Sequence, residues 1–237
     1  MNHSFSGVPA PGKANLLSRL KQLEVPISIV VDVGVRESTR ELIEAFPSHM
    51  HFLFEPVPTF FADIERNYAA VPHVLFPMAL SDTNETKYLV VTALLRDGVA
   101  THSRIVDEYR TVDGVEVISC TPIDVRRLDS INAALEPDFL LKVDVDGFDL
   151  QVLKGCGSML SLASAVIVEA TFADFYQRAL YLESNGFQLI DIVDLVYYGS
   201  VLYQFDIVFI RRELINENVR PPIHHFERAL WKAFNPK

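Results

Sequence analysis

Five of the seven residues in the run ISIVVDV, Ile27 to Val33, are β-branched, and only Ser28 and Asp32 interrupt it with polar side chains. A strand with one face in water alternates apolar and polar residues, so this run reads as a central parallel strand buried on both faces. Such a strand needs helices above and below it. The chain supplies them in order. Thr39 to Ala45 is helical in pattern, His51 to Phe54 is a second strand, Pro58 to Tyr68 a second helix, and Val71 to Leu80 holds a third strand.

The same alternation returns after a less regular stretch from Asp82 to Asp113. Asp138 to Val143 (DFLLKV) is a strand, Leu150 to Leu153 opens a helix, and Ala165 to Val168 (AVIV) is a short apolar strand. A helix from Ala173 to Asn185 ends at Asn185-Gly186 and leads to two more strands, Gln188 to Val193 and Gln204 to Ile210. Only Asp194 to Tyr203 separates those two, too short for a helical crossover, so they should pair antiparallel as an edge hairpin. The fold class is α/β, a doubly wound sheet. No linker or composition shift divides it, and 49% hydrophobic residues over 237 positions are enough for one sizeable core.

Residues 1–26 read as an N-terminal arm and a short helix, 27–212 as the folded domain, and 213–237 as a C-terminal tail. The first dozen residues are rich in Ser, Pro and Gly and read as a loose arm. Ala14 to Leu23 then places Leu16, Leu17, Leu20 and Leu23 on one helical face. In the tail, Phe226, Leu230 and Trp231 mark a short helix that can dock on the body or on another subunit, a route to an oligomer.

With 21 basic against 31 acidic residues, the net charge of −10 repels a phosphate backbone or an anionic bilayer, so neither nucleic acid nor membrane is the expected partner. Cys120 and Cys156 have neither metal-ligand nor redox spacing, which points to a reducing compartment. No apolar run is long enough to span a membrane, and MNHSFSGVPAPGK lacks the apolar core of a secretory signal. A cytoplasmic location is the expectation.

In open parallel sheets, ligands bind beyond the carboxyl ends of the strands. The first strand ends in VDVGVRES, where Gly34 lets the backbone approach a ligand closely, and the second ends in FEP, where Glu55 can accept hydrogen bonds from two ribose hydroxyls. The third leads into ALSD, where Ser81 and Asp82 offer partners for an adenine edge, although Ser-Asp is also a common turn pair. The fourth ends in LLKVDVDGFDLQVLKG. Lys142 and Asp144 there alternate with Leu141 and Val143, so both project to one face. A buried ion pair is costly unless function or full hydrogen bonding retains it. The fifth ends in VIVEA. If the last two strands are neighbours, Asp144 and Glu169 form a two-carboxylate cluster, suited to a general base or to an oxygen-ligand metal such as Mg²⁺.

VVDVG, FEP, ALSD, then LLKVDVDGFDLQVLKG and VIVEA, in this order and spacing, resemble the FkbM family of S-adenosylmethionine-dependent methyltransferases. The likeness runs from Ile29 to Phe209, and its most specific element is Lys142-x-Asp144-x-x-Gly147-x-Asp149 with Leu153-Lys154-Gly155. It implies a Rossmann-like seven-stranded methyltransferase sheet with the last strand antiparallel. It also implies S-adenosyl-L-methionine as cofactor and O-methylation of a hydroxyl on a sugar or natural-product acceptor. Carried over by position, Asp32 and Gly34 face the methionine part of the cofactor, Glu55 the ribose, and Ser81 with Asp82 the adenine region. Lys142, Asp144 and Glu169 then line the reaction site. One departure stands out. After the first glycine the family usually has Ala-Asn-x-Gly, whereas this chain has Val35-Arg36-Glu37-Ser38, a bulkier loop with an extra acid and an extra base. Ser38 can still start a helix there.

In methyl transfer the protein chiefly aligns the acceptor oxygen and removes its proton. Asp144 is the expected base or metal ligand, and Lys142 holds it ionised or positions the acceptor. His102 is an alternative base. Two other readings use the same residues. A nicotinamide dehydrogenase also needs a glycine turn and Glu55, but the G-x-G-x-x-G pattern is missing. A non-catalytic protein retaining the fold fits the altered VRES loop, whereas the kept lysine, both aspartates and Glu169 oppose it. Acceptor specificity is expected from Arg96 to Val117 and from the tail.

Overall fold

The computed structural model describes residues 11–93, 102–106, 116–131 and 135–215. In chain order its elements are α1 (Lys13–Gln22), β1 (Ile29–Val33), α2 (Arg40–Ala45), β2 (Met50–Phe54), α3 (Phe61–Asn67), β3 (His73–Phe76), β4 (Ala79–Leu80), β5 (Glu85–Ala93), β6 (His102–Val106), β7 (Glu116–Arg126), β8 (Phe139–Val143), α4 (Asp149–Gly155), β9 (Ala163–Thr171), α5 (Phe175–Ser184), β10 (Phe187–Tyr198) and β11 (Val201–Arg211). The main sheet has seven strands in the order β10-β11-β9-β8-β1-β2-β3. Five run parallel, and β11 lies antiparallel between β9 and β10. The fold is thus the α/β doubly wound, Rossmann-like methyltransferase sheet.

The β-branched run occupies the middle of this sheet. Every residue of β1 is buried, Val31 and Val33 against one hydrophobic layer and Val30 against the other. The first layer holds α4 and α5 against Leu141, Val166, Val168, Ile207 and Phe209; the second holds α1 and α2 against Leu140, Ala165, Ile167 and Val208. Helix α1 enters the core through Leu16, Leu17 and Leu20. At about 1.5–3 kcal/mol for burying a leucine side chain, those three residues make α1 part of the body. The end of the expected loose arm is held too: the Asp194 N–H donates to the Pro11 carbonyl at 2.9 Å.

Three expectations change in the structure. Val71 to Leu80 does not form one strand, because Pro77 interrupts it; β3 stays in the main sheet, and β4 leaves for another. The irregular stretch after Asp82 carries a second, four-stranded sheet in the order β4-β7-β5-β6. Pro122 is tolerated in β7 because β4 pairs only with Val125 and Arg126, leaving that edge open. Finally, the edge hairpin is far longer than the sequence suggests. Most of the expected connection is strand, and the turn is Gly199-Ser200, with Gly199 at φ +61°. Most of Arg96 to Val117 and the tail from residue 216, including Phe226, Leu230 and Trp231, lie outside the described residues. Among the described residues no helix is long and apolar enough to cross a membrane.

Candidate active site

A cleft of about 550 Å³ opens at the carboxyl ends of β1, β2, β8 and β9. Its volume is in the usual range for a small-molecule or cofactor pocket. The second sheet supplies part of the wall through Leu89 and Ile105, which pack with Val57 and Phe60.

On the β1–β2 side, Gly34 takes φ +81°, and a Cβ there would lie 1.9 Å from the Asp144 carbonyl oxygen. Glycine is therefore required for the approach of the neighbouring loop, as well as for the turn. Val35 is buried in a small core with Leu53, Ile64 and Tyr68, which absorbs its bulk. Arg36 adopts φ +55°, a left-handed conformation that Asn reaches more easily than Arg. Helix α2 starts one residue later than expected, with Thr39 rather than Ser38 at its N-cap.

Glu55 is only 4% exposed. Its Oε2 accepts the Arg36 N–H at 2.7 Å and its Oε1 accepts the Val57 N–H at 2.9 Å. Each oxygen keeps a lone pair, and the residue lines the cleft, so the carboxylate can still accept two adjacent hydroxyls. Burial pushes its carboxyl up to about 6, against the two backbone N–H groups that pull it down.

Lys142 is the hub of the other side. Its Nζ donates to the Gly34 carbonyl at 2.8 Å and lies 3.1 Å from Asp32 Oδ1 and 3.4 Å from Asp144 Oδ2. Burial disfavours the ammonium, but the charges of Asp32 and Asp144 outweigh it and hold its pKa above the ordinary lysine value. Asp32 is fully buried beneath it and is not among the residues that line the cleft. Its Oδ2 accepts from the Tyr68 hydroxyl at 3.3 Å; Oδ1 has the Lys142 charge beside it but no aligned hydrogen bond. Asp32 therefore anchors Lys142.

Asp144 and Glu169 are brought together, as their strand ends suggest. The Asp144 side chain is 38% exposed, open to an incoming molecule, while Glu169 is buried and accepts from the Gln204 amide. Burial would raise the Asp144 carboxyl, but the Lys142 charge and a hydrogen bond from Glu169 overcome it and hold it below the usual range. Glu169 goes the other way. Burial first, then its bond to Asp144 and that residue's charge, push it far above the carboxylate range. The two carboxyls resist ionising together, and the Lys142 charge favours the ionised form at Asp144 while burial favours the neutral form at Glu169.

Ser81 and Asp82 lie off the cleft. Ser81 is buried against α4, where a Cβ on Gly155 would meet the Ser81 carbonyl at 1.8 Å, and the Asp82 carbonyl accepts from Arg127. The adjacent wall is made instead by Met78, Ala79 and Leu80. The side chain of His102 lies outside the described residues.

The rest of the Lys-Asp-Gly-Asp motif is scaffold. Asp149 accepts the N–H groups of Val145 at 3.2 Å and Gly147 at 3.1 Å, and pairs with the buried Arg178 of α5 at 2.7 Å. It ties the loop bearing Asp144 to α4 and α5. Sequence reasoning did not reach Arg178, Tyr68 or Gln204, whose neighbours come from distant strands and helices. A buried-pattern Arg inside an apolar helix face was the one available signal. Among the described residues no group of three or more His, Cys, Asp or Glu is arranged to hold a metal ion.

A doubly wound sheet with an antiparallel β11, a glycine turn, an acidic second strand end and a Lys-Asp pair facing one cleft defines the class of nucleoside-cofactor methyltransferases. The Methyltransferase FkbM domain matches residues 29–189, most of the chain, and the chain belongs to that family. S-adenosylmethionine is accordingly its cofactor, and the two free acceptor sites on Glu55 fit the ribose of that group. No curated protein matches the chain. Among solved structures it is similar to an rRNA methylase from Streptococcus thermophilus (8% identity, 87% of this chain and 99% of that one, TM-score 0.48). It is also similar to precorrin-6y C5,15-methyltransferase from Geobacter metallireducens GS-15 (16%, 83% and 86%, 0.43) and to a ribosomal protein L11 methylase from Lactobacillus delbrueckii subsp. bulgaricus (12%, 84% and 77%, 0.46).

Proposed function

We propose that the protein O-methylates a hydroxyl of a small-molecule or saccharide acceptor, with Asp144 as the general base. The carrying observation is the asymmetry of the carboxyl pair: Asp144 is accessible and 3.4 Å from the Lys142 ammonium, which favours its ionised form, whereas Glu169 is buried, which favours its neutral form. When bound, S-adenosylmethionine supplies a methyl group on a sulfonium, which already has a good leaving group. What remains for the chain is orientation and proton removal. Gly34 and Glu55 hold the cofactor. With the cofactor bound, Asp144 would accept the proton that the acceptor hydroxyl gives up as it is methylated. Lys142 keeps Asp144 ionised and braces the Gly34 turn, so proton acceptor and cofactor loop are set by one ammonium.

The net charge of −10 supports a neutral acceptor over a phosphate backbone. Cys156, buried, and Cys120, half-buried, are both free, which supports a reducing compartment such as the cytoplasm.

The test is single-turnover methyl transfer by Asp144→Asn, screened over hydroxyl acceptors, with S-adenosylhomocysteine binding followed by calorimetry. Binding is expected to survive, and the rate to fall by about 10² to 10⁴. A rate within about threefold of wild type, far less than a lost base produces, removes Asp144 from the chemistry. EDTA treatment of the wild type sharpens the role: inhibition reversed by Mg²⁺ makes Asp144 a metal ligand instead of the base.

A further inference from the structure

Lys13 stands outside the span matched by the family domain, on the first turn of α1, yet its side chain lines the same cleft as Asp144 and Glu169. It is held there from both ends. Its backbone N–H donates to Asp194 Oδ1 at 2.8 Å, and its Nζ lies 3.1 Å from Asp194 Oδ2 and 2.9 Å from Asp206 Oδ2. Asp206 is in turn the cross-strand partner of Glu169 and is only 7% exposed.

We propose that Lys13 is a positioning residue of the active site: by neutralising Asp206 and Asp194 it lets Asp144 remain the ionised member of its pair with Glu169. The proposal rests on the reading of Asp144 as the base.

The charges around the site show why such a residue is needed. Asp32 comes from β1, Lys142 from β8, Asp144 and Asp146 from the loop that follows, and Asp149 from α4. Glu169 comes from β9, Arg178 from α5, Asp194 from β10 and Asp206 from β11. Lys142 is engaged by Asp32 and Asp144, and Arg178 by Asp149 and Asp174. Among the described residues, the ion pair of Asp206 is with Lys13 alone. Without that ammonium, a buried carboxylate stands uncompensated beside the catalytic pair. Asp144 then loses a positive charge that favours its ionised form, and any negative charge left on Asp206 disfavours that form further. The direction of each influence agrees. Burial raises the Asp206 carboxyl and Lys13 lowers it, while the Lys13 charge also lowers Asp144. Because the Nζ is already shared by two carboxylates, Lys13 acts on Asp144 through charge and needs no contact with the acceptor.

The experiment is a carboxyl-carbon NMR titration of the full chain, with Asp144, Glu169 and Asp206 assigned by their amide variants. In Lys13→Met the Asp144 resonance should titrate about one pH unit higher than in wild type, the size expected when a nearby opposite charge is lost. Lys13→Arg should stay near wild type, and Lys13→Met with Asp206→Asn should return toward it. Should Lys13→Met not fold, Asp206→Asn alone decides the matter, since it must move Asp144 the other way, to lower pH. An Asp144 titration that does not move in folded Lys13→Met or in Asp206→Asn overturns the proposal. If the titration moves but Asp144→Asn keeps its turnover, the base assignment fails and the electrostatic role of Lys13 stands.

Discussion

The two sides of the cleft handle buried charge in opposite ways. On the β1–β2 side Glu55, which lines the cleft, is satisfied by the backbone N–H groups of Arg36 and Val57. On the β8–β9–β11 side Lys142, Asp144, Glu169, Asp206 and Lys13 satisfy one another through side chains. Backbone donors hold an acceptor in place with little dependence on neighbours. A side-chain network instead makes each protonation state depend on all the others. The first arrangement suits holding a cofactor, and the second suits moving a proton.

Lys142 is where the two sides meet, so removing it should break both. Lys142→Met leaves Asp32 buried without its counter-charge and is expected to cost about 3–5 kcal/mol in urea unfolding. The folded fraction should also bind S-adenosylhomocysteine more weakly, because the Gly34 carbonyl loses its donor. A cost under about 1 kcal/mol, below the range for a broken buried pair, means that Asp32 protonates at no penalty and the coupling is absent.

Glu55→Ala tests the backbone-held side alone. Affinity for S-adenosylhomocysteine should fall by about 1–3 kcal/mol, the range for hydrogen bonds to a charged group, while the Asp144 titration stays where it was. The same carboxyl gives a pH test. Its folded value of about 6 is raised above the ordinary 4.5, so its contribution to stability is full below 4.5 and is lost as pH rises through 6. Binding runs the other way, since the acceptor of the ribose hydroxyls is the carboxylate. Calorimetry should show affinity falling as pH drops below 6, and a flat profile between pH 5 and 8 separates Glu55 from the ribose.

The smallest effect concerns the loop between the two sides. Arg36→Asn, at φ +55°, should raise stability by about 0.5–1 kcal/mol, because Asn visits the left-handed region at lower cost. Thermal unfolding measures it. No gain would mean that the Arg36 guanidinium, 5.9 Å from the Phe60 ring centre, offsets the strain.

Much of the main sheet was legible because it rests on local pattern. β1, β2, β8 and β9 announce themselves as short β-branched or apolar runs, and their carboxyl ends carry Gly34, Glu55, Lys142, Asp144 and Glu169. The second sheet was not legible. β5 and β7 mix charged and apolar residues and include Pro122, so their period is faint, and pairing with residues well beyond a local window, as from Glu85 to Val125, supplies what local preference lacks. The placing of Ser81 and Asp82 off the cleft was not legible for a related reason. Their strand is cut at Pro77, and a two-residue turn signal cannot reveal that the chain has changed sheets.

The order of strands and helices, the buried character of β1 and the chemistry at the strand ends all follow from the chain by itself, since burial pattern and residue type are local properties. Tertiary structure decided which charges share a site. Asp32 lies beneath Lys142, Gly34 makes room for Asp144, and Lys13 arrives beside Asp206 from the far end of the chain. Protonation depends on desolvation and on charges a few ångströms away, whatever their distance in sequence, so the roles of these groups exist only once the sheet has closed around them.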